Sequence, residues 1–385
     1  MNRKLRMGMV GGGRDSFIGP VHRIAARMDN KIELVCGAFS GSPERSRLAG
    51  QDLLLPPERV YGTYEEMLRE EARLPHGDRM DFVSIVTPNS THYPVAMATL
   101  EAGFHVVCDK PMTMDLEEAR HLERKVQETG KLFCLTHNYT GYPMVKEARE
   151  LVAKGSLGAV RRVVVEYPQG WLATNLEATG QKQAAWRTDP RLAGASSCMA
   201  DIGTHCENLA EYITGLRITE MCADLTTFVS GRRLDDDGSV LLRLGNAARG
   251  VLWASQVAIG QENSLRIRVY GETASLEWNQ EEPNTLIVHW LDKPTEIRRT
   301  GTVFVGEAAS SGARLPAGHP EGYLEAFANI YSSFADALSS AVSGEKADFA
   351  NYDYPNVHDG VRAMAFLDAV LRSAGGEEKW VEVPE

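Results

Sequence analysis

Leu5-Arg6-Met7-Gly8-Met9-Val10-Gly11-Gly12-Gly13 is the stretch that decides the fold. A mostly apolar run that breaks directly into glycines reads as a buried strand followed by a loop. Such a loop lets the backbone approach a pyrophosphate at the N-terminus of the next helix. The usual third glycine does not come three residues later; Gly19 stands six after Gly13, which lengthens the loop Arg14-Asp15-Ser16-Phe17-Ile18. Without a ligand the same string is a glycine-rich turn, so the segments downstream must decide.

Short apolar runs and helical patterns alternate from here to residue 136. Strands are expected at 5–10, 32–37, 82–87, 104–108 and 132–136, with a helix around 21–27. Ser42 and Pro43 supply an N-cap and a first helical residue, and Thr63-Tyr64-Glu65-Glu66 is a capping box. A helix at 92–102 stops at Gly103, and Asp115-Leu116-Glu117-Glu118 opens another that Gly130 stops. Strands that are apolar throughout, separated by helices, imply a parallel sheet covered on both faces. This is a doubly wound α/β domain of the Rossmann kind, with its ligand beyond the carboxyl ends of the strands.

After a helix at 144–153 the rhythm changes. Strands at 160–167, 220–229, 240–244, 250–257, 265–270, 274–278 and 286–290 follow, with helices near 202–213 and 322–341. That order predicts an α+β domain with a large, open, mostly antiparallel sheet. The chain therefore divides into residues 1–140, a dinucleotide-binding domain, and 141–385, the α+β domain left to meet substrate. Residues 301–320, rich in Gly, Pro and Ala, suit a lid or an oligomer arm.

Composition narrows the partners. A chain of 385 residues is long for one core, and 43% hydrophobic with 24% charged residues is ordinary for a globular protein. The net charge of −11 argues against nucleic acid and anionic membranes as partners. It gives no help in capturing an acidic substrate either, so a neutral ligand is expected. Residues 1–6 are basic, but the apolar run at 7–10 is too short for a secretory signal core. No apolar run approaches the roughly 20 residues that span a bilayer. A cytoplasmic protein is expected, with Cys36, Cys108, Cys134, Cys198, Cys206 and Cys222 reduced and no metal bound.

Three groups could carry chemistry. Lys110, in Asp109-Lys110-Pro111 at a strand's carboxyl end, can donate to a reacting oxygen and stabilise alkoxide character. Asp201 and His205 stand four apart and share a helix face. An imidazole with its ordinary pKa of about 6.5 suits a general base, and Asp201 could hold that ring or a substrate hydroxyl. At the end of the second strand, where a carboxylate would read the ribose of NAD, stands Phe39-Ser40-Gly41-Ser42. Ser40 can bond a hydroxyl or a phosphate and Arg45 can pair with a phosphate, which tilts the reading toward NADP. Arg45 equally suits a solvated helix position. His22, early in the first helix, reads as a packing or loop-bracing residue.

Taken in order, these strings resemble the Gfo/Idh/MocA oxidoreductases. The resemblance rests on the glycine-rich first turn, Thr87-Pro88-Asn89 with His92, Asp109-Lys110-Pro111, Ala185-Trp186-Arg187 and Asp201-x-Gly203-x-His205, along essentially the whole chain. It implies an NAD(P)-dependent enzyme that moves a hydride between a ring hydroxyl of a sugar, glycoside or inositol-type polyol and the nicotinamide. It also implies a homodimer or homotetramer assembled through the C-terminal sheet. Catalysis falls to Lys110, Asp201 and His205. NAD or NADP is held by Gly11, Gly12, Gly13, Phe17, Ile18, Ser40, Arg45, Thr87, Pro88, Asn89, His92, Asp109, Lys110, Trp186 and Arg187. Substrate meets Lys110, Asp201, His205, Tyr139, Tyr142, His319 and Tyr323, although each of the last four suits a structural role equally well.

Besides the late third glycine and the missing carboxylate near Ser40, the chain departs from the family pattern at two further places. Asp109 replaces a glutamate and keeps its charge, and His137-Asn138-Tyr139-Thr140-Gly141-Tyr142 replaces an Arg-Phe pair and marks a subgroup. The scaffold also admits a redox-assisted glycoside lyase or hydrolase that recycles tightly bound NAD, or a non-catalytic sugar or nucleotide sensor. Retention of Lys110, Asp201 and His205 weighs against the sensor.

Overall fold

The computed structural model describes residues 3–14, 16–344 and 351–384. Asp15 of the lengthened loop and the first two residues of the basic N-terminus lie outside them. The elements β1 (Leu5–Gly11), α1 (Ile18–Met28), β2 (Ile32–Ala38), α2 (Pro43–Asp52), α3 (Tyr64–Arg73), β3 (Phe82–Val86), α4 (His92–Glu101), β4 (His105–Cys108), α5 (Leu116–Thr129) and β5 (Phe133–Leu135) come first. Then follow α6 (Pro143–Ala153), β6 (Arg162–Pro168), α7 (Lys182–Arg187), α8 (Pro190–Ala193), a π-helical turn over Met199–Gly203, and α9 (Thr204–Thr214). Strands β7 (Ile218–Thr226), β8 (Asp237–Leu244), β9 (Arg249–Ser255), β10 (Arg266–Tyr270), β11 (Ala274–Asn279), β12 (Thr285–Trp290) and β13 (Glu296–Arg299) are next. After them come α10 (Glu307–Ser311), α11 (Tyr323–Val342), α12 (Val357–Gly375) and β14 (Val381–Glu382).

These elements form two compact units, Met1–Asn138 with Tyr323–Val361, and Tyr139–Gly322 with Arg362–Glu385. In the first unit five strands pair in parallel in the order β2-β1-β3-β4-β5. Val60 adds an isolated parallel bridge to Gly37 beyond β2. The expected doubly wound sheet is present, and its winding reverses between β1 and β3, so the loops after those strands flank the binding crevice of such a sheet. Local chemistry sets the helix starts. Thr63 Oγ1 accepts from the Glu66 N–H at 3.2 Å while the Glu66 carboxylate accepts from the Gly62 N–H at 2.9 Å. Ser42 caps α2 with Pro43 behind it, and Asp115 Oδ1 accepts from the Glu118 N–H at 2.9 Å.

The sequence places α11 beyond the 140/141 boundary, with the second domain. In the structure its apolar face (Phe327, Ile330, Tyr331, Phe334, Leu338) shares one core with Val21, Ala25 and Ala26 of α1 and with Leu5, Met7 and Met9 of β1. A helix's apolar stripe must be buried somewhere, and periodicity alone does not say against which neighbour.

The glycine loop is tighter than its spacing suggests. Gly11 and Gly12 adopt φ of +84° and +71°, a region that glycine enters freely. A Cβ added to Gly19 would lie 2.4 Å from Gly12 Cα. Gly19 therefore does the third glycine's work of bringing helix against strand, despite its late position. The extra residues fold back, with Ser16 Oγ accepting from the Gly19 N–H at 3.2 Å and Gly13 N–H donating to Phe39 O at 3.1 Å.

The second unit holds a nine-stranded sheet in the order β13-β12-β11-β10-β6-β9-β8-β7-β14. Its pairs are antiparallel except β6 with β9. Strands β13 and β14 escape sequence reading because one is Glu-Ile-Arg-Arg and the other two residues long. Helix α12 escapes it because most of its residues are buried, which leaves no amphipathic period, and Gly360 interrupts its start. Cys36, Cys108, Cys134, Cys198 and Cys206 are buried free thiols and Cys222 is half-buried. Among the described residues no helix is long and apolar enough to cross a membrane.

Gly19→Ala is expected to lower stability by about 1–3 kcal/mol, because its methyl group meets backbone that cannot rotate away. Gly77→Ala, whose Cβ would meet nothing within 4 Å, should change it by less than about 0.5 kcal/mol. Equilibrium unfolding in denaturant checks both.

Candidate active site

In the first unit Lys110 directly follows β4 and Asp109, and its bond to Pro111 is cis. Asp109 N–H donates to Ile85 O of β3 at 2.9 Å, which extends the sheet by one residue. Asp109 Oδ1 accepts from Thr136 Oγ1 at 2.9 Å and lies 3.8 Å from His22 Nε2 on α1. Burial alone would raise the carboxyl's pKa. The nearby His22 ring, then the Lys110 charge and the His92 ring, outweigh burial and hold it at about 2. His92, at the start of α4, is 1% exposed. Its Nδ1 lies 2.7 Å from Pro111 O and its Nε2 2.8 Å from Thr87 O. Burial lowers its pKa, against the pull of the Asp109 charge. His137, just beyond β5, is pushed to about 3 by burial and by the Lys110 charge, so it is neutral at working pH.

The same unit offers a cradle for a pyrophosphate. A Cβ on Gly11 would lie 2.8 Å from Val86 O and one on Gly13 2.6 Å from Phe39 O, so no side chain can stand in the loop. The N-terminus of α1 lies immediately beyond it, and Thr87 Oγ1 is buried without a hydrogen-bond partner among the described residues. Bare backbone, a helix start and an unsatisfied hydroxyl fit a bound dinucleotide. Ser40 Oγ accepts from the Ser42 N–H at 3.2 Å and Arg45 is exposed on α2. Phe17 is 63% exposed at the head of α1, whereas Ile18 packs against the core. Pro88 is exposed and Asn89 buried. Tyr323 opens α11, half-buried, with its ring 5.2 Å from that of Phe327.

In the second unit Asp201 lies in the π-helical turn and His205 in the first turn of α9. Asp235 anchors this turn, its two carboxylate oxygens accepting from the Ser197 and Met199 N–H groups at 2.9 Å each. Ser196 Oγ accepts from the Ala200 N–H at 3.1 Å. Thr204 N–H reaches back to Met199 O, so a wider turn replaces the regular α-helix that the spacing of Asp201 and His205 assumed.

Asp201 Oδ2 accepts from Arg187 Nε at 3.1 Å and from Gln256 Nε2 at 2.9 Å. Arg187 also donates to Gln183 Oε1 at 2.6 Å, and its guanidinium covers the Trp186 ring at 4.1 Å. His205 is 5% exposed and meets the Tyr139 ring edge-on, with centroids 4.7 Å apart. The Tyr139 hydroxyl bonds that of Tyr167, which donates to Asn263 Oδ1 at 2.7 Å. Burial pushes the Tyr139 phenol up to about 12, so it stays protonated. Tyr142 is buried against Trp278 and accepts from Gln280 Nε2 at 3.3 Å.

Within this unit, then, Trp186, Arg187, Asp201, His205 and Tyr139 come together. His319 is exposed, with its Nδ1 3.0 Å from Pro316 O. Sequence reasoning missed Gln183, Gln256, Tyr167 and Asn263. Amides carry no motif of their own, and the usable hint was the position of Tyr167 and Gln256 at the ends of strands.

Residues 5–139 match the family described as "Oxidoreductase family, NAD-binding Rossmann fold", and residues 145–277 match the GFO/IDH/MocA C-terminal domain. The oxidoreductase YfiI of Bacillus subtilis (strain 168) is 35% identical over 99% of this chain and 98% of its own. Levoglucosan dehydrogenase of Pseudarthrobacter phenanthrenivorans is 25% identical over 100% of this chain and 99% of its own. The crystal structure of an inositol dehydrogenase homolog complexed with NADH and myo-inositol, from Azotobacter vinelandii, superposes with a TM-score of 0.93. It is 36% identical and covers 99% of this chain and 98% of that one.

The low pKa of Asp109 has a consequence for stability. A depressed carboxyl stabilises the fold above its unfolded value near 4, and that stability is lost as pH falls toward about 2. Asp109→Asn is expected to be less stable than wild type by on the order of 2 kcal/mol above about pH 4, with the gap closing below it. Denaturant unfolding of both proteins across that range measures it.

Proposed function

Because the chain belongs to the Gfo/Idh/MocA oxidoreductases and carries their NAD-binding Rossmann domain, we propose that it oxidises, reversibly, a ring hydroxyl of a neutral sugar or inositol-type polyol. The observation that carries this reading is Lys110 at the carboxyl end of β4, on the sheet whose β1 ends in the bare glycine loop. The relatives that act on levoglucosan or bind myo-inositol support a hydroxyl-rich ring as substrate. So do the uncharged donors and acceptors near His205 (Tyr139, Tyr167, Asn263) and near Asp201 and Arg187 (Gln256, Gln183), which suit hydroxyl groups.

The nicotinamide, when bound, would supply the hydride acceptor. Lys110 donates to the reacting oxygen and stabilises the negative charge that develops on it. His205 takes the hydroxyl proton as general base. Asp201, held by Arg187 and Gln256, presents its remaining oxygen to a substrate hydroxyl or to the imidazole. Gly11, Gly12, Gly13 and Thr87 would hold the pyrophosphate. Ser40, in place of a carboxylate, leaves a 2′-phosphate unrepelled, so NADP is accepted beside NAD.

Assembly into dimers or tetramers fits the outward face of the nine-stranded sheet. The strand register puts Leu241, Val251, Val164, Arg268, Glu277, Ile287 and Ile297 in one row across seven strands. Leu241 and Ile297 in that row are 50% and 64% exposed.

Nicotinamide absorbance, followed with inositols, anhydro-sugars, hexoses and glycosides, tests the reading first with NAD and then with NADP. A substrate-dependent rise is expected; no rise with any of them, while cofactor binds, would overturn it. His205→Ala and Lys110→Ala should each lower kcat by about 10²–10⁴-fold with cofactor binding retained. Wild-type rates would remove those residues from the mechanism. Ser40→Asp should weaken NADP binding relative to NAD, and an unchanged preference would show that Ser40 does not meet the 2′ position.

A further inference from the structure

Both chain neighbours of Lys110 are tied to buried histidines. On one side Asp109 Oδ1, already bonded to Thr136 Oγ1, lies 3.8 Å from His22 Nε2. His22 is completely buried, and its Nε2 has no hydrogen-bond partner among the described residues. Its ring is boxed by Phe327 and Tyr331, with centroids at 5.1 and 5.7 Å. Its Nδ1 lies 2.8 Å from the Tyr331 hydroxyl, which lies 2.9 Å from Ser84 Oγ. One order of donors satisfies this chain. Ser84 donates to Tyr331, Tyr331 donates to His22 Nδ1, and His22 Nε2–H faces the Asp109 carboxylate across 3.8 Å, a distance of electrostatic contact and not of a direct hydrogen bond. On the other side of Lys110, His92 lies between Pro111 O and Thr87 O, and its neutral ring has one N–H to donate to one of these two acceptors.

The inner end of the Ser84–Tyr331–His22 chain is a dead end. Ser84 sits in the middle of β3 with no exposed surface, and Tyr331 is 1% exposed. A proton entering there has nowhere to leave, so the arrangement serves geometry and not transport. A histidine fixed on one nitrogen by a buried partner and aimed at a functional group with the other is a familiar way to orient that group.

We infer that His22 and His92 are positioning residues for Lys110, the first acting through the Asp109 carboxylate and the second through its hydrogen bond to one of the Pro111 and Thr87 carbonyls between which it is wedged. Tyr331 and Ser84 fix the His22 ring. The inference rests on the proposed role of Lys110. It gives His22 a part beyond packing, and it makes His92 a strut between the segments that follow β3 and β4.

The test uses Tyr331→Phe, which deletes one hydroxyl and keeps the ring, together with His22→Gln, His22→Leu and His92→Gln. In Tyr331→Phe, kcat per folded site should fall about tenfold while NADH affinity stays within about twofold, and in His92→Gln kcat should fall by a similar factor. His22→Gln, which keeps an N–H donor, should retain more activity than His22→Leu. Crystal structures of the cofactor-free variants should show Lys110 displaced from its wild-type position. Wild-type kcat with Lys110 unmoved in Tyr331→Phe and His92→Gln would overturn the inference, whatever happens to their melting temperatures. Lys110→Met runs beside them. If it keeps full turnover, the proposed role of Lys110 falls, and the crystallographic positions still decide whether the two histidines hold that segment.

Discussion

The backbone contact between Gly12 and Gly19 fixes where α1 lies, and much of the first unit follows from it. The helix has three jobs. Its N-terminus backs the glycine loop, its apolar face joins β1 and α11 in the core, and its buried His22 reaches toward Asp109. His22 is three residues after Gly19, so both lie on the same side of the helix, the side pressed toward the strands. A methyl group between Gly12 and Gly19 would lift that side as a whole. Cofactor loop, core and the support of Lys110 therefore share one steric limit.

Charge is arranged with similar economy. Although the chain carries a net charge of −11, each of its two candidate site carboxylates has assigned partners. Asp109 is met by Thr136 and His22, and Asp201 by Arg187 and Gln256. Partially buried acids held in this way keep a fixed direction, which free surface carboxylates do not. Asp235 extends the pattern to backbone, spending its two oxygens on the amides that open the π-helical turn. That turn delivers Asp201 and His205 at an angle a regular helix would not give.

What the sequence revealed and what it hid divide along a physical line. Strands β1 to β5, the caps at Ser42, Thr63 and Asp115, and the larger part of the second sheet were readable because their signals are local. A capping side chain answers to an amide three residues away, and an apolar run answers to burial of any kind. The order Lys110, Asp201, His205 was readable for another reason, as a resemblance carried by short strings. The partners of these residues were not. His22 meets Tyr331 across 309 positions and Arg187 is held beside Gln183, while Gln256 reaches Asp201 over 55. Gln, Asn and Tyr are common at surfaces, and nothing in their own neighbourhood marks the few that turn inward. The late third glycine shows the same limit in reverse. A spacing rule placed it wrongly, while the contact it serves was kept.

The cysteines carry a last consequence. Burial pushes the thiols of Cys36, Cys108, Cys134, Cys198 and Cys206 well above the usual range, so they hold little thiolate, and no reagent reaches them without unfolding. Cys222 alone is half-buried, and its register partner on β8 is Leu241, in the outward row of the large sheet. The folded chain thus concentrates its alkylation chemistry at a single sulfur on that face. A spectroscopic label could be installed there in the native sequence, to watch whatever comes to cover the sheet.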